Sequence, residues 1–278
     1  MKYMRPLIMN HINNRNMQTR LSGIITGIVI LIFMANCQVL GQGAVKNLSV
    51  MSYNIRNAKG LDDHTDLNRI AEIIRKSGAQ VVALQELDSV TNRSGHKNVL
   101  KGIANLSGMH ATYAPAIDYD GGKYGIGILS VKKPERGYKI ALPGREEQRI
   151  LLVAEFDKYI LACTHLSLTE ADRMASVQLI AEEAKKANKP FLLAGDFNAL
   201  PASEMLTELQ KDFLLLNDVT AFTFPANKPS RTIDYIALFR HGAKIKISSA
   251  KVLQEPVASD HLPVVVRIKK LSSKRNAQ

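Results

Sequence analysis

At 278 residues the chain can hold one large domain or two small ones, and its 46% apolar content is that of an ordinary globular protein with a sizeable core. Only Cys37 and Cys163 occur, which excludes a disulfide-stapled scaffold and leaves stability to core packing. The formal charge of +12 favours anionic partners at long range but does not choose between a nucleic acid, a lipid headgroup and a free phosphate.

The N-terminal segment comes first. Lys2, Arg5, Arg15 and Arg20 precede an apolar run from Leu21 to Ala35, and no acidic residue occurs before Asp62. A basic lead, a short apolar run and small residues beyond it predict a signal peptide over residues 1–41, cut after Val39-Leu40-Gly41. Lipidation at Cys37 and a short membrane anchor are the competing readings. Export places the mature protein in a periplasmic or extracellular setting. Four of the 37 Lys/Arg and none of the 25 Asp/Glu lie in 1–41, so a chain beginning at Gln42 carries +8 rather than +12. Elsewhere no run reaches the roughly 18 apolar residues of a membrane-spanning helix.

From there on, apolar runs alternate with helical patterns and nothing resembles a linker, which predicts one mixed α/β domain over 42–278 with its core at about 45–270. Strands are predicted at 48–53, 81–84, 126–130, 150–156, 159–164, 191–194, 233–238 and 264–268. Leu67, Ile70, Ala71 and Ile74 mark a helix that Thr65 or Asp66 caps and Gly78 ends. Thr169 and Asp172 have the spacing of a capping box for a second helix running to about Asn188.

Polar residues gather where these strands stop. Asn54 ends the first strand, Glu86 follows the second, and His165, Asp196 and Asn198 close two later ones. Asp234 opens another, and Asp260-His261 precede the last. Each alone reads as a turn residue or a satisfied histidine. Together they are four acids, two amides and two histidines at strand ends, where sites are usually built.

Met51-Ser52-Tyr53-Asn54-Ile55-Arg56, Val82-Ala83-Leu84-Gln85-Glu86, Thr164-His165-Leu166, Gly195-Asp196-Phe197-Asn198 and Ser259-Asp260-His261-Leu262-Pro263 resemble, in order, the blocks of the endonuclease/exonuclease/phosphatase superfamily. Tyr124 through Ser130, Arg149, and Thr223-Phe224-Pro225 leading to Asp234 add further family-like pieces. The resemblance implies a four-layer αββα sandwich of two β-sheets flanked by helices. It also implies divalent-metal-dependent hydrolysis of phosphate esters.

Such hydrolysis requires neutralising phosphate oxygens, aiming a water in line and stabilising the departing alkoxide. A hard cation such as Mg2+ or Mn2+ suits carboxylate ligands. Glu86 is the candidate ligand, with Asn54 orienting it or adding an oxygen and Asp260 contributing to the same or a second ion. Asp196 and Asn198 are candidates to hold the attacking water and a phosphate oxygen. His261, its tautomer fixed by Asp234, would donate to the phosphoryl group or act as base. His165 would be an acid or a phosphate contact. In the deoxyribonuclease-like members its partner is an acid just past the Leu-Ser strand, where this chain offers only a displaced Glu135. Tyr124 and Arg149 are expected to touch phosphate or to hold loops. Arg93 would either clamp a headgroup or lie in a plain surface loop.

The substrate expected is a phosphorylated small molecule or a lipid headgroup. Two alternatives stand beside it: a secreted nonspecific nuclease, and a binding module of the same fold that has lost catalysis. Sparse aromatics, with no Trp, offer no stacking platform for single strands, and none of the eight core positions is missing. Nothing calls for an obligate protein partner.

Overall fold

The structure, a computed structural model, describes residues 44–273. The predicted signal peptide and Cys37 lie outside the described residues. Twelve strands form two sheets. The strands are β1 (Val45–Asn54), β2 (Val81–Ser89), β3 (His110–Tyr119), β4 (Gly122–Ser130), β5 (Arg136–Leu142), β6 (Arg149–Glu155), β7 (Ile160–His165), β8 (Phe191–Asp196), β9 (Phe213–Leu215), β10 (Asp234–Phe239), β11 (Ala243–Val252) and β12 (Val264–Ser273). The helices are α1 (Leu67–Ser77), α2 (Val99–Ser107), α3 (Glu170–Lys185) and α4 (Glu204–Asp212).

One sheet runs β11-β12-β1-β2-β4-β3 and the other β5-β6-β7-β8-β10-β9, so both follow the same order. Each has a single parallel pair, β1 with β2 and β7 with β8, and every other pairing is antiparallel. A crossover helix, α1 or α3, makes each parallel pair a βαβ unit. The central strands are covered on both faces, which is why they are near-continuous apolar runs. Leu48, Val50, Val81, Ala83, Leu161, Cys163, Leu192 and Ile236 fill the layer between the sheets. Met51, Tyr53, Val82 and Leu84 face Ile70, Ile74 and Leu100 of α1 and α2. Leu151, Leu193 and Tyr235 face Val177, Ile180 and Leu206 of α3 and α4. The predicted αββα sandwich is the fold observed.

Asp66, not Thr65, caps α1 by accepting the Arg69 N–H at 3.1 Å, and Gly78 ends it in the left-handed region at φ 66°. The capping box of α3 is not made. Thr169 is the N-cap residue but gives no side-chain cap bond; the reciprocal bond is also missing, because the Asp172 carboxylate takes the backbone N–H and guanidinium of Arg145, at 2.9 Å each, and the Thr169 N–H goes to Ser167 Oγ. The helix ends at Lys185 rather than near Asn188. β3, β5, β9, β11, α2 and α4 were not predicted. Three of the missed strands, β3, β5 and β11, are half-exposed edge strands without a continuous apolar run. The missed helices are nine residues each, too short for a strong period, and α2 carries Gly102 inside it.

Candidate active site

Because β1 and β2 run parallel, as do β7 and β8, four strands end at the same edge of the sandwich. Register then fixes which side chains meet. Asn54 lies beside Gln85, and His165, Asp196 and Asp234 form one row across β7, β8 and β10. Gly195 lets that row close. A Cβ there would collide with the Thr164 carbonyl oxygen and push the strand bearing Asp196 away from His165.

Two site residues sit in the left-handed backbone region that disfavours side chains. Glu86, at φ 59°, occupies a one-residue bulge where Leu84 pairs with Gly127 but Leu87 with Gly125. The bulge turns its carboxylate out of the strand's alternation and toward the cleft. Asn198, at φ 50°, has its N–H held by Asp196 Oδ1 at 2.9 Å, while its Nδ2 donates to the Leu166 carbonyl at 2.9 Å. Strain of this kind persists where surrounding bonds over-determine the position.

Asp196 is the hub. Its Oδ2 accepts from Asn54 Nδ2 at 3.2 Å, bridging the two sheets. The same oxygen lies 3.5 Å from His165 Nε2 and 3.6 Å from His261 Nε2. Asp196, Asp234 and Asn54 are all within 1% of complete burial. His261 Nδ1 faces Asp234 at 2.9 and 3.1 Å, so Nε2 is the nitrogen left to point at the cleft. Burial opposes charge on this ring, but the Asp234 and Asp196 carboxylates outweigh it and raise its pKa to about 10. Burial wins at His165, whose pKa falls to about 4 despite Asp196. At neutral pH one histidine is thus an imidazolium and the other a neutral ring.

Asp196, Asp234 and His261 place ligand atoms within 4.8 Å of one another. The Asp234–His261 hydrogen bond already accounts for that closeness, so a cation is not needed to explain it. Glu86 and Asp260 fit a hard cation better. Burial, and then the nearby Asp260 and Asp196, push the Glu86 carboxyl above the usual carboxylate range. No Lys or Arg among the described residues forms an ion pair with Glu86, and the one nearest Asp260 is Arg56 at 4.0 Å. A carboxylate without a Lys or Arg partner, beside a second paired only at 4.0 Å, is the donor chemistry of Mg2+ or Mn2+. Asn54 is placed to orient rather than to ligate. Its Nδ2 donates to Glu86 Oε1 at 2.8 Å, and its oxygen already accepts the Arg56 N–H at 3.1 Å.

Two expectations are corrected by the geometry. Glu135 does not partner His165; it pairs with Lys189 at 3.0 Å, and Asp196 takes its place. Arg93 does not reach the cleft, because buried Asp88 holds its guanidinium through bonds of 2.6 and 2.8 Å and Tyr119 packs beneath it at 4.5 Å. Arg149 is buried and doubly paired, with Glu147 at 2.8 Å and Glu146 at 3.3 Å, yet its Nε has no partner. The residue lines the wall beside Tyr124 and His165.

The open cleft above these groups measures about 490 Å³, and Glu86, Tyr124, Arg149, His165, Asp196, Asn198 and His261 line it. Sequence reasoning missed Glu147, Leu168, Leu200, Phe224, Arg231 and Ile233, which complete the walls. Most sit within three residues of a named position, in the same strand-end loops, so proximity to the motifs was the available signal.

Two six-stranded sheets with carboxylates, amides and two histidines converging at one edge define the class of the molecule: an αββα sandwich with its cleft at the strand ends. The chain belongs to the Endonuclease/Exonuclease/phosphatase family, whose family model matches residues 51–261. No match was found among curated proteins. Among solved structures it is similar to an endonuclease/exonuclease/phosphatase from Beutenbergia cavernae (21% identity, 81% of this chain and 72% of that one, TM-score 0.67). It is also similar to a mannosyl-6-phosphatase from Bacteroides thetaiotaomicron (20% identity, 80% and 99%, TM-score 0.65). The human Nocturnin catalytic domain, solved with bound sulfate, is similar at 20% identity over 84% and 98%, with a TM-score of 0.62. At these identities the likeness is one of fold.

Proposed function

We propose that this protein is a divalent-metal-dependent phosphoesterase acting on small phosphorylated or lipid-derived substrates. The observation that carries the reading is the convergence of Asn54, His165 and His261 on one oxygen of Asp196, beside a Glu86 carboxylate that Asn54 holds and no Lys or Arg among the described residues neutralises. A cation held by Glu86 and Asp260 would neutralise phosphate oxygens and the departing alkoxide. Asp196, fixed from three sides, accepts a hydrogen bond from a water, and Asn198 Nδ2 and backbone hold the loop that positions it. His261, charged and locked by Asp234, donates from Nε2 to a phosphoryl oxygen; its charge makes a donor of it rather than a base. His165 is neutral and contacts the phosphate or the leaving oxygen, with Arg149 in the wall beside it.

A small substrate suits the cleft better than a polynucleotide. Among the described residues Tyr124 and Phe224 alone contribute Tyr, Phe or Trp faces to it, and a strand bound without sequence preference needs a row of them. The test is a panel of hexose phosphates, phosphoinositide and sphingomyelin vesicles and DNA, each with Mg2+. Turnover of a sugar phosphate or lipid at higher kcat/KM than DNA is expected. Efficient cleavage of DNA with the others untouched would replace this reading by the secreted nuclease.

Export of the mature chain belongs to the same reading and rests on the basic lead and apolar run before Gln42. Intact mass of protein from the native host should correspond to a start at Gln42. A retained Met1 contradicts export, and a lipidated Cys37 substitutes an anchored form for a free one.

A further inference from the structure

Among the guanidinium groups at this end of the sandwich, Arg231 stands apart. Arg149 is held by Glu146 and Glu147, and Arg93 by Asp88. Arg231 is exposed, lines the cleft, and has no carboxylate within ion-pair reach among the described residues. It is nevertheless not free to wander. Phe224 and Arg231 face each other across an antiparallel bridge in which each backbone N–H donates to the other's carbonyl at 3.0 Å. That geometry sets both side chains on one side of the hairpin. The hairpin is in turn tied to the segment entering β12, Ala226 N–H to Asp260 O and Leu262 N–H to Thr223 O, both at 2.7 Å.

The side chains continue the arrangement. The Arg231 guanidinium lies 4.9 Å over the Phe224 ring, and the Phe224 ring packs 4.7 Å from the imidazole of His261. Phe224 is therefore a spacer. It holds a positive charge one ring's breadth beyond the group assigned to the phosphoryl oxygens, on the open side of the same cleft. An exposed arginine resting on an aromatic face is common and can be a solvated surface feature. Here the bridge fixes where the side chain leaves the backbone, the Phe224 ring supports it, and the residue lines the cleft with no carboxylate partner among the described residues.

We infer that Arg231 binds a second anionic group of the substrate, a phosphate or a carboxylate carried several bonds from the scissile phosphate on a sugar or polyol. The inference rests on the phosphoesterase reading for the place of the first phosphate and names the substrate class for that site. The planar fork of a guanidinium matches either anion with two parallel hydrogen bonds. A nucleic acid also carries neighbouring phosphates, but a strand needs a track of cations, and the other cleft arginine is already neutralised by its two glutamates.

The test is calorimetric binding without divalent cation, so that no substrate is turned over. Fructose 1,6-bisphosphate is compared with fructose 6-phosphate, 6-phosphogluconate with glucose 6-phosphate, and an octathymidylate is included. The wild-type protein should prefer the doubly anionic member of at least one pair by about tenfold or more, and the pair that shows it identifies the second anion. Arg231→Ala should reduce that preference to about twofold or less, and Arg231→Lys should keep part of it. Lys228→Ala removes a neighbouring exposed charge of the same hairpin and should leave the preference intact. Circular dichroism of each variant separates lost binding from lost folding. No preference in the wild type, a preference that survives Arg231→Ala, or Arg231 dependence confined to the octathymidylate overturns the inference. Turnover of p-nitrophenyl phosphate or bis-p-nitrophenyl phosphate with Mg2+ is read separately. Its absence beside an Arg231-dependent preference removes the phosphoesterase reading and keeps the anion site; its presence beside Arg231-independent binding does the reverse.

Discussion

Glu86→Gln is expected to lower kcat/KM on any ester the protein hydrolyses by about 10³-fold or more, which is about 4 kcal/mol of transition-state stabilisation. The substitution keeps the shape and the bond from Asn54 Nδ2 but removes the charge that would hold a cation. Stability should move the other way. Burial already disfavours the ionised carboxylate, and Asp260 and Asp196 add like-charge repulsion. The neutral amide relieves that burden, so the metal-free variant should melt at or above the wild-type temperature. Loss of turnover with melting preserved in a thermal scan is the expected pair of results. Retention of most of the metal-dependent rate would show that Glu86 is not the ligand.

The Asp234–His261 pair should behave as one unit. Asp234→Asn and His261→Ala are each expected to cost about 10²- to 10⁴-fold in kcat/KM, with the double variant little worse than His261→Ala alone. The warrant is geometric: Asp234 is fully buried, its carboxylate faces Nδ1 at 2.9 Å, and Nε2 is thereby left for the cleft. A double-mutant cycle at saturating Mg2+ measures it, and losses that multiply would dissolve the pair. The pair also has a pH signature. A histidine whose pKa is raised in the folded state to about 10 contributes stability that is fully present below its ordinary value of 6.5 and is lost as pH rises toward 10. Metal-free protein should therefore lose melting temperature over that window, and Asp234→Asn should flatten the loss.

Much of the candidate site could be read before the structure because most of its residues lie at or just past strand ends, which are legible from apolar runs; Glu86 is the exception, at a bulge inside β2 rather than after it. Asn54, Glu86, His165, Asp196, Asn198, Asp234, Asp260 and His261 all fall at one edge of the two sheets. What the sequence concealed was pairing across space. That Asp196 rather than Glu135 faces His165 depends on the β7–β8 register, and register is a property of two strands together. Arg93 was open to two readings because its buried partner, Asp88, lies only five residues back on β2 and reads there as an ordinary strand residue. The cleft's apolar and cationic walls, Leu168, Leu200 and Arg231, belong to loops without period. The short helices α2 and α4 owe their existence to packing against the sheets, not to a periodic pattern of their own.

Metal dependence is the claim on which the rest stands. The most direct measurement is hydrolysis of p-nitrophenyl phosphate and bis-p-nitrophenyl phosphate by the purified protein, first stripped with chelator, then titrated with Mg2+ or Mn2+. Activity should be absent after stripping, return on titration to its original level in the wild type, and fail to return in Glu86→Gln. Hydrolysis that persists undiminished in chelator, or no hydrolysis of either ester at any metal concentration, would contradict the account.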